Sequence, residues 1–235
     1  MKPDPRPWLA GNLQQRLEPM LEMLAAAPAS LSSITNPDEA RRVHLADSLS
    51  GLAIDEVNAA RRVTDVGSGA GFPGIPLAMA RPEAEFTLLD SVGKKVDFMS
   101  EVIERLGLGN ATAINRRSEE WAAADGAGAS DLVTARAVAP LEALAELASP
   151  LLESGGSLVA WKGEREPESE EKLKALGAKL AMKLDRIVPV KPYSGSRERH
   201  IYVVRKTAAT PSNLPRRAGM VRKRPLTAPP RSAEN

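Results

Sequence analysis

The chain is short of the residues that build disulfides and metal sites. Its 235 residues include no cysteine and only two histidines, His44 and His200. Disulfides are therefore excluded, and a zinc site is not expected, because zinc in proteins is bound mainly by Cys and His. We predict that the protein binds no metal.

Long hydrophobic runs are missing as well. No stretch approaches the roughly 20 apolar residues that a membrane-spanning helix needs, and the first seven residues, Met-Lys-Pro-Asp-Pro-Arg-Pro, lack the apolar centre of a signal peptide. We therefore expect no membrane association and a cytoplasmic location. The hydrophobic content of 43% suits a globular protein, and the length allows one α/β domain with a small appendage, which we expect to be monomeric.

The small net charge of +2 hides a basic C-terminal end. Beyond Val204 the only acidic residue is Glu234, whereas the basic residues are Arg205, Lys206, Arg216, Arg217, Arg222, Lys223, Arg224 and Arg231. Such a tail is typical of an arm that binds nucleic-acid phosphates, and the alternative is a solvated tail with no partner.

Hydrophobic patterning divides the chain into three parts. Apolar residues at helical spacing predict helices from about Leu9 to Leu52, the second of which begins near Asn36. We define a helical cap (1–60), a core (61–206) in which strands and helices alternate, and an irregular, proline-rich tail (207–235). The predicted strands are 62–66, 85–90, 111–115, 131–135, 156–161, 180–190 and 199–205, and the predicted helices of the core are 75–81, 92–106, 138–152 and 167–176.

Alternation of strands and helices predicts a doubly wound α/β fold. The last two strands have no helix between them, so we expect an antiparallel hairpin at one edge. The predicted architecture is a mostly parallel seven-stranded sheet of the Rossmann-like type, with an N-terminal helical cap.

The most informative motif follows the first predicted strand. Asp65 begins the pattern D-x-G-x-G-x-G, with glycines at 67, 69 and 71. Glycines are needed where a cofactor presses on a strand-to-helix turn, because a Cβ atom would occupy the space. Phe72 stands where the dinucleotide fingerprint has its third glycine, and no Gly-Lys-Ser/Thr closes a P-loop. The motif therefore indicates S-adenosylmethionine (SAM).

The ends of the later strands supply further candidates for the same site, because ligands bind at the carboxyl edge of such a sheet. Asp90 ends the second strand about 20 residues beyond the loop, where an acid can accept hydrogen bonds from both ribose hydroxyls. Ser118 and Glu119 follow the third strand and either border the adenine or form a solvated helix cap. Arg136 ends the fourth strand, at an edge that faces the methyl acceptor in many methyltransferases.

The acceptor is narrowed by elimination. The Asn/Asp-Pro-Pro-Tyr/Phe motif of amino-group DNA methylation is missing after the fourth strand, and methylation at C5 of a pyrimidine usually needs a cysteine nucleophile. What remains is an acceptor that is already nucleophilic, such as guanine N7. Its lone pair needs no general base, so catalysis consists mainly of positioning.

Several segments together resemble one family. The run from Asp65 to Leu77, with its Phe-Pro-Gly-Ile-Pro extension, is similar to the signature of the bacterial RsmG (GidB) family, the SAM-dependent 16S rRNA guanine-N7 methyltransferases. The other matching segments are 42–49, 88–95, 117–121, 134–137, 161–163 and 199–201. Residues 214–226 resemble an extension that part of the family carries.

The resemblance implies that the Rossmann-like fold is that of a class I SAM-dependent methyltransferase. It implies SAM as the cofactor, held by Gly67, Gly69, Phe72, Ser118, Glu119 and Arg136, with Asp90 beside the ribose. It also implies a catalytic rim of Lys94, Lys162, Arg199 and Arg136 around the reacting base, and a partner that is 16S rRNA or the 30S subunit, methylated in its 530 loop.

Simpler interpretations of these residues exist. Lys94 and Lys95 also suit a solvated helix face. Arg199 also suits a pair with Glu198 or a neighbouring acid, and His44 and Asp47 suit a structural polar pair. Trp8 and Trp161 favour packing. For the whole chain, the alternatives are an assembly factor that binds RNA without activity, an NAD-dependent dehydrogenase, and a methyltransferase of another substrate class.

Overall fold

The structure, a computed structural model, describes residues 12–27, 31, 34 and 36–226. Its seven strands form one sheet in the order β3-β2-β1-β4-β5-β7-β6. Strands β1 to β5 run parallel, and β7 lies antiparallel to both β5 and β6. The predicted seven-stranded sheet with its antiparallel edge hairpin is confirmed. The strands are β1 (Arg62–Val66), β2 (Glu85–Asp90), β3 (Ala111–Asn115), β4 (Ser130–Arg136), β5 (Leu152–Lys162), β6 (Met182–Val190) and β7 (Arg199–Lys206).

Short helices connect the strands and cover the sheet. Predicted helix 138–152 is the one that differs most, since it spans only Leu141–Ala148, preceded by Pro140 and followed by Pro150. The α-helices are α1 (Leu13–Ala26), α2 (Pro37–Ala40), α3 (Asp47–Leu49), α4 (Asp55–Ala59), α5 (Gly74–Ala80), α6 (Gly93–Leu106), α7 (Ser118–Ala122), α8 (Leu141–Ala148), α9 (Pro167–Leu180) and α10 (Met220–Lys223). Among the described helices, none is long and apolar enough to cross a membrane.

The N-terminal residues form the predicted helical cap. Helix α1 buries Leu17, Met20, Leu21 and Leu24, which recur at helical spacing. The second helical segment starts at Pro37, widens into a π-helical turn at Arg41–Ala46, and ends in a 3₁₀ turn at Ser50–Ala53. Arg41 donates two hydrogen bonds to Glu18, at 2.6 and 2.9 Å, which join the two segments. The positions before residue 12, including Trp8, lie outside the described residues.

Alternating strand residues fill cores on the two faces of the sheet, as the period of two requires. In β1, Val63 packs with the cap, α5 and α6, whereas Val66 packs on the opposite face with α8 and α9. The pairs Val66–Leu89 and Val66–Ala135 then bring the carboxyl ends of β1, β2 and β4 to the same edge. That edge is where every predicted site residue is expected to lie.

The C-terminal segment is irregular apart from α10, and it packs against the rest of the fold. Between Thr207 and Leu226 the chain folds back along α7 and α8, buries Leu214 and Val221, and contains α10. Arg216 fixes the segment by donating to both carboxylate oxygens of Glu146, at 2.5 and 2.9 Å. This anchor joins residues 70 positions apart, so local patterning does not reveal it. Residues 227–235 lie outside the described part of the chain.

Candidate functional site

The side chain of Asp65 holds the glycine-rich turn in place through hydrogen bonds. One of its carboxylate oxygens accepts from the Gly74 N–H at 3.1 Å, and the other accepts from the Thr134 hydroxyl at 2.7 Å. The side chain is fully buried, and burial raises the pKa of Asp65 to about 6, although these hydrogen bonds oppose the shift. Asp65 therefore ties the turn and the start of α5 to β4.

The turn itself requires glycine at position 67. Gly67 has φ +66°, and a Cβ atom there would lie 2.8 Å from Cγ2 of Val138. Both residues line a cavity of about 730 Å³, called here the glycine-turn cavity. A side chain at position 67 would therefore strain the backbone and intrude on this cavity.

Asp90 stands at the end of β2, on the wall of the same cavity. Its carboxylate accepts from the backbone N–H groups of Gly69 and Val92, at 3.0 and 2.9 Å. Lys95 lies 3.7 Å from it and also lines the cavity. These contacts hold a carboxylate in the position predicted for the ribose acceptor and connect it to the glycine turn.

Ser118 and Glu119 close a further side of the cavity. Both are buried, so the alternative of a solvated helix cap is wrong. The Ser118 hydroxyl donates to Glu119 Oε2 at 3.2 Å, and Glu119 Oε1 accepts the Gly219 N–H at 2.8 Å. Residues of the C-terminal segment complete the lining, namely Gly219, Val221, Arg222 and Pro225.

A second cavity of about 850 Å³, called here the Arg136 cavity, opens beside the first. Residues 137–140 and Glu142 line both, so the two cavities share a wall at the end of β4. Ala137 in this wall has φ +56°, a conformation that non-glycine residues adopt at a cost of order 1–3 kcal/mol. Such strain is characteristic of functional sites, where surrounding contacts hold the backbone in place.

Arg136 is clamped by the helical cap. Its guanidinium donates to the carbonyls of Val43 and His44, to the Asp47 carboxylate at 3.1 Å, and to the Ser48 hydroxyl. The carbonyls belong to the π-helical turn, and such turns often occur at functional sites. Burial lowers the pKa of Arg136, and Asp47 opposes that shift. Arg136 thus connects the carboxyl edge of the sheet to the cap.

Phe72 lies beneath Arg136 and is buried. Its ring stacks on His44 with a centroid distance of 4.6 Å, and the guanidinium carbon of Arg136 sits 5.3 Å from its centroid. The imidazole of His44 is neutral near pH 7, since burial and the neighbouring Arg136 lower its pKa to about 4. Phe72 is expected to contact the cofactor, but in the described residues it supports Arg136 and lines neither cavity. His44 and Asp47 both contact Arg136, which suits the structural role considered for them.

The remaining basic candidates separate into two groups. Lys162 lines the Arg136 cavity and donates to the Ala139 carbonyl at 2.7 Å, and Arg199 lines it too, 3.6 Å from Asp47. Arg199 therefore pairs with Asp47, in place of the Glu198 considered above. Lys94 is exposed and lines neither cavity. Its neighbour Lys95 faces Asp90 instead. The sequence does not reveal this difference, because both lysines stand at the start of the same helix.

These residues fit SAM. The cavity offers a glycine turn that a side chain would block, a carboxylate suited to ribose hydroxyls, and the buried pair Ser118 and Glu119. The described residues contain no group of three or more His, Cys, Asp or Glu that could hold a metal. Sheet order and site geometry together define the class, a Rossmann-like methyltransferase fold.

Solved structures support this class at the level of the fold. A SAM-dependent methyltransferase from Aquifex aeolicus matches 80% of this chain and 97% of its own, with a TM-score of 0.55 and 15% identity. NSun6 from Pyrococcus horikoshii matches 70% of this chain and 52% of its own, with a TM-score of 0.52 and 16% identity.

Sequence relatives identify the family. The GidB family, described as rRNA small subunit methyltransferase G, matches residues 13–202. A protein of that name from Rubrobacter xylanophilus is 42% identical over 206 residues, covering 84% of this chain and 77% of its own. Another from Clostridium perfringens is 36% identical, covering 84% and 83%. The chain belongs to the GidB family, as the motifs predict.

Proposed function

We propose that this chain transfers the methyl group of SAM to N7 of a guanosine in 16S rRNA, in the 530 loop. Family membership supports a SAM-dependent methyltransferase of small-subunit rRNA. The observation that carries the proposal is the pair of cavities that share the wall at residues 137–140. A transfer between two bound partners needs such adjacent sites, because positioning supplies most of the rate.

The Arg136 cavity suits a guanine with its phosphates. Arg136, Lys162 and Arg199 line it. Their cationic groups can donate to guanine O6 and to phosphate oxygens, which leaves the N7 lone pair free. Arg136 is aimed by four partners on the cap, so it is preorganised before the base arrives.

The proposed reaction needs no activation of the acceptor. SAM supplies an electrophilic methyl group, and guanine N7 carries a free lone pair. The chain then has to hold the base in line, and no residue has to remove a proton before attack. Asp47 accepts a hydrogen bond from Arg136, and His44 is stacked on Phe72. The proposed reaction requires neither of them as a general base.

The test is methyl transfer from radiolabelled SAM to 16S rRNA and to 30S subunits from a strain that lacks its own enzyme, followed by nucleoside analysis. We expect the label as 7-methylguanosine in the small-subunit RNA, mapped to the 530 loop. Label in another nucleoside would refute the N7 assignment, and label in protein or small molecules would indicate the alternative substrate class.

Two variants distinguish the effect of a cation in the Arg136 cavity from the effect of positive charge elsewhere on the surface. Lys162→Met should reduce transfer at least tenfold, because it removes a cation from the Arg136 cavity and frees the shared wall. Lys94→Met removes the same charge from an exposed position outside both cavities and should change transfer less than threefold. Equal losses in the two variants would show that the basic groups act only as a diffuse surface. Bound SAM without transfer to any RNA would favour an assembly factor.

A further inference from the structure

The segment after β7 contributes to the lining of the glycine-turn cavity, but no function has yet been assigned to it. Residues 211–226, called here the covering segment, lie beyond the residues matched by the family, which end at 202. Four of its residues nevertheless line the glycine-turn cavity, namely Gly219, Val221, Arg222 and Pro225. The cavity that contains Gly67 and Asp90 is thus bounded on one side by chain outside the family core.

We propose that the covering segment is a cofactor-binding element, which forms the outer wall of the glycine-turn cavity and positions Glu119 toward the adenosine half of SAM. This inference depends on the cofactor of the proposed function and not on its acceptor.

The first support is the direct contact with Glu119. This carboxylate is buried, with 8% of the residue exposed. One oxygen accepts from Ser118 and the other from the Gly219 N–H at 2.8 Å. A buried carboxylate keeps a single orientation only when its oxygens are hydrogen-bonded. Gly219 therefore sets the orientation that Glu119 presents to the cavity.

The second support is the anchor that holds the segment in place. Arg216 forms a two-point ion pair with Glu146, which is 4% exposed on α8, and also donates to the Arg224 carbonyl at 2.8 Å. The carbonyl contact closes the segment into a loop around α10. Leu214, which precedes this loop, and Val221, which lies within it on α10, are both buried. Arg216 is therefore committed to the fold of the segment, although composition alone suggests a phosphate-binding arm.

The experiment uses the full chain without RNA. Isothermal titration calorimetry measures the affinity for S-adenosylhomocysteine and for 5′-methylthioadenosine, which lacks the amino-acid portion. Arg216→Ala should weaken both ligands by a similar factor, at least tenfold, because the lost wall faces the adenosine half. The matched control is Arg217→Ala, since Arg217 is the exposed neighbour of the same charge, and it should stay within twofold.

A second variant guards against loss of fold. Val221→Ala keeps the Arg216 anchor and removes two methyl groups from the cavity wall, and it should weaken both ligands about threefold. In steady-state assays Arg216→Ala should raise the KM for SAM and leave the KM for RNA unchanged. Affinities within twofold for a folded Arg216→Ala overturn the proposal. If Arg216→Ala does not fold, unchanged affinity of Val221→Ala overturns it. Neither result tests whether guanine N7 is the methyl acceptor.

Discussion

Replacing Gly67 tests the placement of the cofactor most directly. Gly67 has φ +66°, where a Cβ atom costs about 1–2 kcal/mol. The new Cβ would also lie 2.8 Å from Val138, whose side chain is exposed enough to move aside. We therefore expect Gly67→Ala to fold, with a free energy of unfolding lowered by about 1–2 kcal/mol.

A control with the same backbone geometry separates strain from binding. Gly107 ends α6 with φ +63°, and a Cβ atom added there would meet no neighbouring atom within 4 Å. Gly107→Ala should therefore lose a similar stability, which for a chain of this size corresponds to a fall in Tm of about 2–8 °C. Because Gly107 does not line the glycine-turn cavity, SAM affinity should not change.

Calorimetric titration with SAM then gives opposite expectations for the two variants. The Gly67→Ala methyl group enters the glycine-turn cavity, and we expect at least tenfold weaker binding, about 1.4 kcal/mol. Gly67→Glu adds length and negative charge and should abolish binding. If Gly67→Ala and Gly67→Glu bind SAM like the parent chain while Gly107→Ala shows the expected destabilisation, the cofactor does not lie over this turn.

Three further predictions concern buried charge. Arg136→Ala should lower methyl transfer. In urea unfolding it should also lower the free energy of unfolding by about 3–5 kcal/mol, because Asp47 loses its hydrogen-bonded partner and keeps only Arg199, 3.6 Å away; unchanged stability would contradict the clamp. The pKa of Asp65 is raised to about 6 from 3.8, so its contribution to stability is full below pH 3.8 and lost, by about 3 kcal/mol, as pH rises to 6. Asp65→Asn should remove that slope. The pKa of His44 is lowered to about 4 from 6.5, so stability falls as pH falls from 6.5 to 4, and His44→Phe should remove this opposite slope. A parent-like pH profile of either variant in chemical unfolding would refute the corresponding assignment.

Strands and the glycine turn were predictable because local chemistry determines them. The bounds of β1, β2 and β3 agree with prediction at every residue, since each is an apolar run with polar or glycine residues at its ends. The predicted helix 138–152 is longer than α8, because its apolar residues continue beyond the helix. Pro140 and Pro150 flank the observed helix at its two ends. Strand β5 begins earlier than predicted, at Leu152, because Gly155 and Gly156 suggest a break that the sheet tolerates.

Long-range contacts explain what the sequence could not reveal. The π-helical turn exists where carbonyls of the cap meet Arg136, a partner about 90 residues away in the chain. Lys94 and Lys95 are neighbours of equal charge, and only the orientation of α6 distinguishes them. The covering segment is anchored to α8 by the ion pair between Arg216 and Glu146. In each case the decisive group is distant in sequence.

The shared wall explains why the basic residues around the Arg136 cavity are not interchangeable. Lys162 donates to the Ala139 carbonyl and lies 3.1 Å from Glu166, so its charge is already partnered within the protein. It therefore acts through the wall, by holding Ala139 beside the strained Ala137. Arg199 lies at a looser 3.6 Å from Asp47 and is 30% exposed, so its guanidinium can turn toward a ligand at lower cost. We therefore expect Lys162 to set the position of the wall, and we expect Arg199 and Arg136 to contact the acceptor.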